Sequence, residues 1–208
     1  MVSLFNIKVG SLTRHVLMLS LVGMVSSVGF ALPAAAETAP KVRFVTTEGD
    51  FTVEVYPDKA PKTVENFLRY VKDKHYDGLI FHRVINNFMV QGGGYDAKYT
   101  EKPTRPPVIH EGREALAKGG SKNVVGTLAM ARTNDPNSAS SQFFINVKDN
   151  ANLDAPNPDG HGYTVFGKVV SGTEVVDRIR AVRTTSQGRM QNVPVDPITI
   201  QSATIVAK

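Results

Sequence analysis

The chain has no cysteine among its 208 residues. That removes thiol catalysis and a lipid-modified N-terminal cysteine from consideration, and it suits an oxidising compartment, where unpaired thiols are a hazard. Metal ligands are equally sparse. His75, His82, His110 and His161 are scattered, without a His-x-x-x-His pair or a clustered carboxylate motif, so no metal and no cofactor is expected. The formal charge of +5 is spread along the chain. No arginine-rich stripe or aromatic-basic interleaving accompanies it, and nucleic acid is not indicated as a partner. Internal repeats, long low-complexity linkers and heptad seams are also missing, which leaves one domain and a monomer as the expectation.

What is present begins with an uncharged run. Lys8 and Arg14 precede 17 uncharged residues from Val16 to Leu32, followed by Pro33-Ala34-Ala35-Ala36 and the first acid, Glu37. This pattern reads as a cleavable signal peptide over 1–36, with Ala34-x-Ala36 as the cleavage site. An uncleaved membrane anchor is the rival reading, which Ser20, Gly23, Ser26, Ser27 and Gly29 weaken. Cleavage lowers the formal charge from +5 to +3. It leaves residues 37–208, enough for one domain with its own core and no membrane association.

That remainder reads as short strands and turns with two helical stretches. Lys41 to Thr47 and Phe51 to Tyr56, joined at Glu48-Gly49-Asp50, predict a hairpin. Pro61 to Lys74 sets Val64, Phe67, Leu68 and Val71 at helical spacing, with Pro61 suited to the first turn. Gly172 to Ala181 predicts a second helix, and Ile198 to Ala207 a closing strand. Strands are also expected over Gly126 to Arg132 and Ser141 to Val147, and a further apolar segment runs from Tyr163 to Val170. Such spacing around a small apolar interior fits a sandwich or a barrel.

One segment carries most of the functional information: Phe81-His82-Arg83-Val84-Ile85-Asn86-Asn87-Phe88-Met89-Val90-Gln91-Gly92-Gly93-Gly94. A guanidinium stays charged in any protein, so Arg83 among these apolar neighbours costs desolvation unless something useful receives its donors. No lysine or second arginine lies nearby, as a phosphate site usually requires. The neighbours instead fit an arginine that places a hydrogen bond on an electron pair appearing during a reaction. Its structural alternative is an arginine at a barrel mouth, its stem packed and its head in water. Gln91 offers one acceptor and two donors, enough to hold an arginine and touch a peptide. Gln91 and Phe88 differ in strand parity, so both can face Arg83 only if the strand is irregular there. Asn86-Asn87 supplies a turn, since asparagine tolerates positive φ. His82 is expected on the face opposite Arg83.

A second cluster runs through Gly126-Thr127-Leu128-Ala129-Met130-Ala131-Arg132, a polar loop, and Ser141-Gln142-Phe143-Phe144-Ile145-Asn146-Val147. With Phe81-His82-Arg83-Val84-Ile85 and Phe88-Met89-Val90-Gln91-Gly92-Gly93, these motifs resemble the cyclophilin family of peptidyl-prolyl cis-trans isomerases, and within it the exported bacterial members. The resemblance runs from about Val42 to Val206. It implies an all-β fold, a closed eight-stranded antiparallel β-barrel capped by two α-helices. It also implies acceleration of X-Pro rotation in exported unfolded or flexible polypeptides, in the periplasm, or outside the cell where no outer membrane exists.

By the same resemblance Arg83 is the catalytic donor and Gln91 orients it while contacting substrate backbone. Phe88, Met89, Phe144 and Leu153 match the pocket for the proline ring, Tyr163 a pocket wall that is often histidine, and Met130, Ala131 and Arg132 further substrate-binding positions. Phe143 and Phe166 are assigned to the core. Two departures stand out. Asn152 falls where relatives carry tryptophan or phenylalanine beside the pocket, which implies weak cyclosporin binding. The loop after Arg132 is one residue longer than in many members, leaving Arg132 either to contact peptide backbone or to pair with Asp135. A proline-peptide binding chaperone or interaction module of the same fold, with little turnover, is the alternative function.

Overall fold

The computed structural model describes residues 39–206; the expected signal peptide lies outside the described residues. In chain order the elements are β1 (Lys41–Thr46), β2 (Gly49–Val55), α1 (Pro61–Lys72), β3 (Arg83–Ile85), β4 (Met89–Gly92), α2 (Gly112–Ala117) and β5 (Thr127–Met130). There follow β6 (Phe143–Asn146), β7 (Val165–Ser171), α3 (Thr173–Ala181), β8 (Thr184–Gln187), β9 (Met190–Pro194) and β10 (Ile200–Val206).

Eight strands form one antiparallel sheet in the order β10-β1-β2-β7-β5-β6-β4-β3. Its two edges meet through backbone just ahead of β3 and β10. Ile80 bridges Thr199, the Phe81 amide donates to the Ile198 carbonyl at 3.0 Å, and the Ile200 amide donates to the Leu79 carbonyl at 2.8 Å. The sheet is thereby curled into a barrel with few exposed edges. Helix α1 packs against β10, and α3 packs against β2, β3 and β4. The six-residue α2 and the β8–β9 hairpin were not expected from the sequence.

Helix α1 buries Thr63, Val64, Phe67, Tyr70 and Val71, the stripe its spacing requires. Ala60 at its N-cap has no side chain to accept from the first-turn amides. Glu111 takes that role from a distant segment: its buried carboxylate accepts from the Lys62 amide at 3.1 Å and from the Thr63 amide and hydroxyl at 2.8 Å. Negative charge at this helix end is favourable for both the free amides and the helix dipole.

Strand pleating sorts the apolar residues into two groups. Val84, Val90, Phe143, Ile145, Leu128 and Met130 enter the main core with Phe44, Phe51, Phe67, Tyr76, Phe81 and Phe166. Phe143 meets Tyr76 at 5.5 Å and Phe67 at 6.0 Å in near-perpendicular arrangements, and Phe166 is fully buried. Burial of each such ring contributes about 1.5–3 kcal/mol. The alternate residues Met89, Phe144, Ala129 and Val165 form a separate cluster with Leu153, against which Ile85, Phe88, Ala131 and Tyr163 pack. A β-bulge between Leu128 and Ala129 sets Val165 opposite Ala129. The site is built on this second cluster.

Candidate active site

Register creates a row across four adjacent strands. Arg83 pairs with Gln91, Gln91 with Phe144, and Phe144 with Ala129. Residues paired across an antiparallel sheet project to the same side, so a cation, an amide and a ring stand together outside the barrel. They border a cavity of about 310 Å³ lined by Arg83, Phe88, Met89, Gln91, Ala131, Arg132, Phe144, Leu153 and Tyr163. Nine of the ten residues expected from the sequence therefore converge on one cavity.

Met130 is the exception and corrects the expectation for it. Leu128 and Met130 share one strand face, and Met130 is buried in the barrel interior opposite Phe143. Parity makes Ala131, not Met130, the lining residue. The parity conflict between Phe88 and Gln91 also resolves. Phe88 lies in the 86–88 turn, closed by its amide donating to the Ile85 carbonyl at 2.9 Å, and β4 begins one residue later. Neither Asn86 nor Asn87 uses positive φ.

Arg83 is half-buried, and its Nη1 donates to Gln91 Oε1 at 3.4 Å, a long contact that leaves the guanidinium available to a stronger acceptor. Gln91 Nε2 donates to Gln142 Oε1 at 2.9 Å, which fixes the amide with its oxygen toward the arginine. Gln142 was missed in the sequence, although its parity with Phe144 makes it legible there.

Buried polar groups hold the apolar walls. Asn150 Nδ2 donates to the Phe88 carbonyl at 2.9 Å and to Asn146 Oδ1 at 2.7 Å. Asn146 Nδ2 in turn donates to Asn123 Oδ1 at 3.1 Å. Asp154 Oδ1 accepts from the Asn123 amide at 2.7 Å and its Nδ2 at 2.8 Å, while the Leu153 carbonyl accepts from the Tyr163 amide at 2.9 Å. Every partner in this chain is satisfied by another, so the walls cannot shift singly.

Arg132 pairs with Asp159, not Asp135. Its side chain is 2% exposed; Nη2 donates to Asp159 Oδ2 at 2.6 Å and to the Gly162 carbonyl at 2.8 Å, and the guanidinium carbon stands 4.5 Å from the Tyr163 ring centre. Asp135 instead accepts from the Asn137 amide. Partial burial opposes the charge on Asp159. The Arg132 hydrogen bond and the His161 and Gly162 amides outweigh it, holding the carboxyl at about 2. Gly162 has φ +72, and a Cβ there would meet the Ala155 nitrogen at 2.4 Å.

His82 is buried beside Tyr95, with ring centres 4.8 Å apart. Burial first, then the neighbouring Arg83 charge, lowers its pKa to about 4. His75, packed on Tyr70, is likewise lowered to about 4 by burial and Lys102. His110 and His161 stand with ring centres 5.9 Å apart.

Residues 41–205 match the description "cyclophilin type peptidyl-prolyl cis-trans isomerase/CLD". Peptidyl-prolyl cis-trans isomerase A of Dickeya dadantii is 48% identical over 189 residues, covering 91% of this chain and 96% of that protein. Peptidyl-prolyl cis-trans isomerase B of Escherichia coli is 47% identical over 166 residues, covering 79% and 98%. A crystal structure of a Cryptosporidium parvum cyclophilin type peptidyl-prolyl cis-trans isomerase, obtained in the presence of the dipeptide Ala-Pro, superposes with a TM-score of 0.68. It is 27% identical and covers 81% of this chain and 99% of that one. The chain belongs to the cyclophilin family and is a peptidyl-prolyl cis-trans isomerase acting on proline-containing peptides.

Proposed function

We propose that isomerisation here proceeds without covalent chemistry, by an Arg83 hydrogen bond to the nitrogen of a twisted X-Pro amide whose ring occupies the 310 Å³ cavity. The observation that carries this reading is the guanidinium on the rim of an otherwise largely apolar slot. Amide resonance sets a rotational barrier of about 18–20 kcal/mol. As the bond twists, the nitrogen lone pair leaves conjugation and becomes an acceptor absent from the planar ground state. A donor aimed there favours the transition state over bound substrate. Five decades of acceleration need only about 7 kcal/mol of such selectivity.

Phe88, Met89, Phe144 and Leu153 hold the ring, Ala131 leaves the floor open, and Tyr163 forms a wall braced by Arg132. Gln91, fixed by Gln142, orients Arg83 and has one donor left for substrate backbone. The substrate class fits the Ala-Pro dipeptide named with the Cryptosporidium relative.

The same proposal includes export, cleavage of residues 1–36 and action as a monomer on polypeptides in the periplasm. It rests on the charge and hydropathy pattern of the N-terminus. Mass spectrometry of the protein from its own cells tests it: a chain beginning at Glu37 is expected, and an intact N-terminus contradicts cleavage.

No group in this mechanism gains or loses a proton. Turnover of a short Ala-Pro peptide, followed by NMR exchange, is therefore expected to keep a constant kcat/KM from about pH 6 to about pH 9. A bell-shaped profile would point to acid–base chemistry and against this mechanism.

A further inference from the structure

A second groove adjoins the proline slot. It has a volume of about 380 Å³ and lies between the Arg83–Gln91 rim and the β8–β9 hairpin, with His82, Tyr95, Gln142, Arg189 and Asn192 among its lining residues. Arg83 and Gln91 belong to both cavities, so a chain seated with its proline in the first has the mouth of the second beside it.

The groove's chemistry is one-sided. Two arginines and several amides line it, and none of its lining residues is acidic. Arg189 is exposed and has no ion-pair partner among the described residues, whereas Arg132, across the slot, is neutralised by Asp159. His82 lines the groove with its buried Nδ1 unpartnered. With its pKa near 4 it is neutral at physiological pH, which leaves the groove's charge to Arg83 and Arg189. Asn192, in β9, has a left-handed backbone conformation, φ +60. A groove floored by amides and rimmed by unpaired cations favours a carboxylate over an ammonium ligand.

We propose that this groove is a substrate subsite for an acidic side chain flanking the X-Pro bond, with Arg189 as the residue that sets the preference. The proposal rests on the isomerase reading of the neighbouring cavity. It assigns a role to the β8–β9 hairpin, whose first strand is polar and exposed throughout while the second anchors it through the buried Val193.

The test is a set of short peptides centred on Ala-Pro, carrying Asp or Lys at successive positions on either side of the proline, with kcat/KM measured by NMR exchange at low salt. The wild type is expected to turn over the Asp peptide about three- to tenfold faster than its Lys counterpart at positions on one side. The ratio should shrink as salt rises, and Arg189→Glu should invert it. Lys118→Glu, the same charge change at a residue lining neither cavity, should preserve it. Equal rates for Asp and Lys peptides on both sides, or a preference that survives Arg189→Glu, would overturn the subsite. Failure of the isomerase reading would look different: the uncharged parent peptide would not be turned over by the wild type.

Discussion

Arg83 and Gln91 owe their roles to a register that makes them cross-strand partners. Arg83 was recognisable from sequence because a permanent cation in an apolar segment demands an explanation. The partner of Arg132 was not, because Asp159 lies 27 residues away on a loop that no local pattern places. At the same scale, Asn152 is exposed beside Leu153 and offers no ring to a bulky ligand over the slot. Cyclosporin is therefore expected to inhibit weakly, as read in a competition assay. A low-nanomolar inhibition constant would show that another surface replaces the missing aromatic.

At the scale of elements, the strands that read clearly in the sequence are those with alternating or continuously apolar residues. The β8–β9 hairpin escaped because Thr184–Gln187 is exposed throughout and has no buried face to leave a period. Gly188, with φ +58, was its one local signal. Met130 was misplaced for the opposite reason: β5 is buried at every position, so hydrophobicity alone could not tell its two faces apart. Asn150 ties two such elements together, joining the turn that carries Phe88 to the segment before Leu153. Asn150→Ala is expected to cost about 1–3 kcal/mol in urea denaturation, because it leaves the buried Asn146 Oδ1 without its donor. It should also raise KM for an Ala-Pro peptide as the two walls loosen. Unchanged stability and KM would remove the polar chain from the account of the pocket.

For the whole molecule, the alternation of apolar residues fits a sandwich as well as a barrel; the family resemblance selects the barrel, and nothing in the pattern marks its closure. The Ile80–Thr199 bridge joins segments that carry no mark of being neighbours. The molecule's response to acid is set by groups folded in as neutral. His82 and His75 each have a pKa near 4, against an ordinary value of 6.5. Between those values the unfolded chain binds protons that the native state refuses. Stability is thus fully present above about pH 6.5 and is lost as pH falls toward 4. At pH 5 the loss from His82 alone is on the order of 2 kcal/mol. Asp159 adds a further loss below about pH 4, as its carboxylate is protonated toward its folded value of about 2. Urea midpoints at pH 7 and pH 5 should differ accordingly, and His82→Gln should shrink that difference by about half, His75 supplying the rest. A midpoint independent of pH over this range would contradict the buried-neutral assignment.

The central claim is that the guanidinium acts on the half-rotated amide more than on bound substrate. The most direct measurement compares Arg83→Ala with wild type for both kcat/KM and Kd on one Ala-Pro peptide, by NMR exchange and titration. The account predicts a fall in kcat/KM of about two to three decades with a much smaller change in Kd. Equal losses in the two quantities would make Arg83 a ground-state binding residue, and full activity in the variant would exclude it from catalysis.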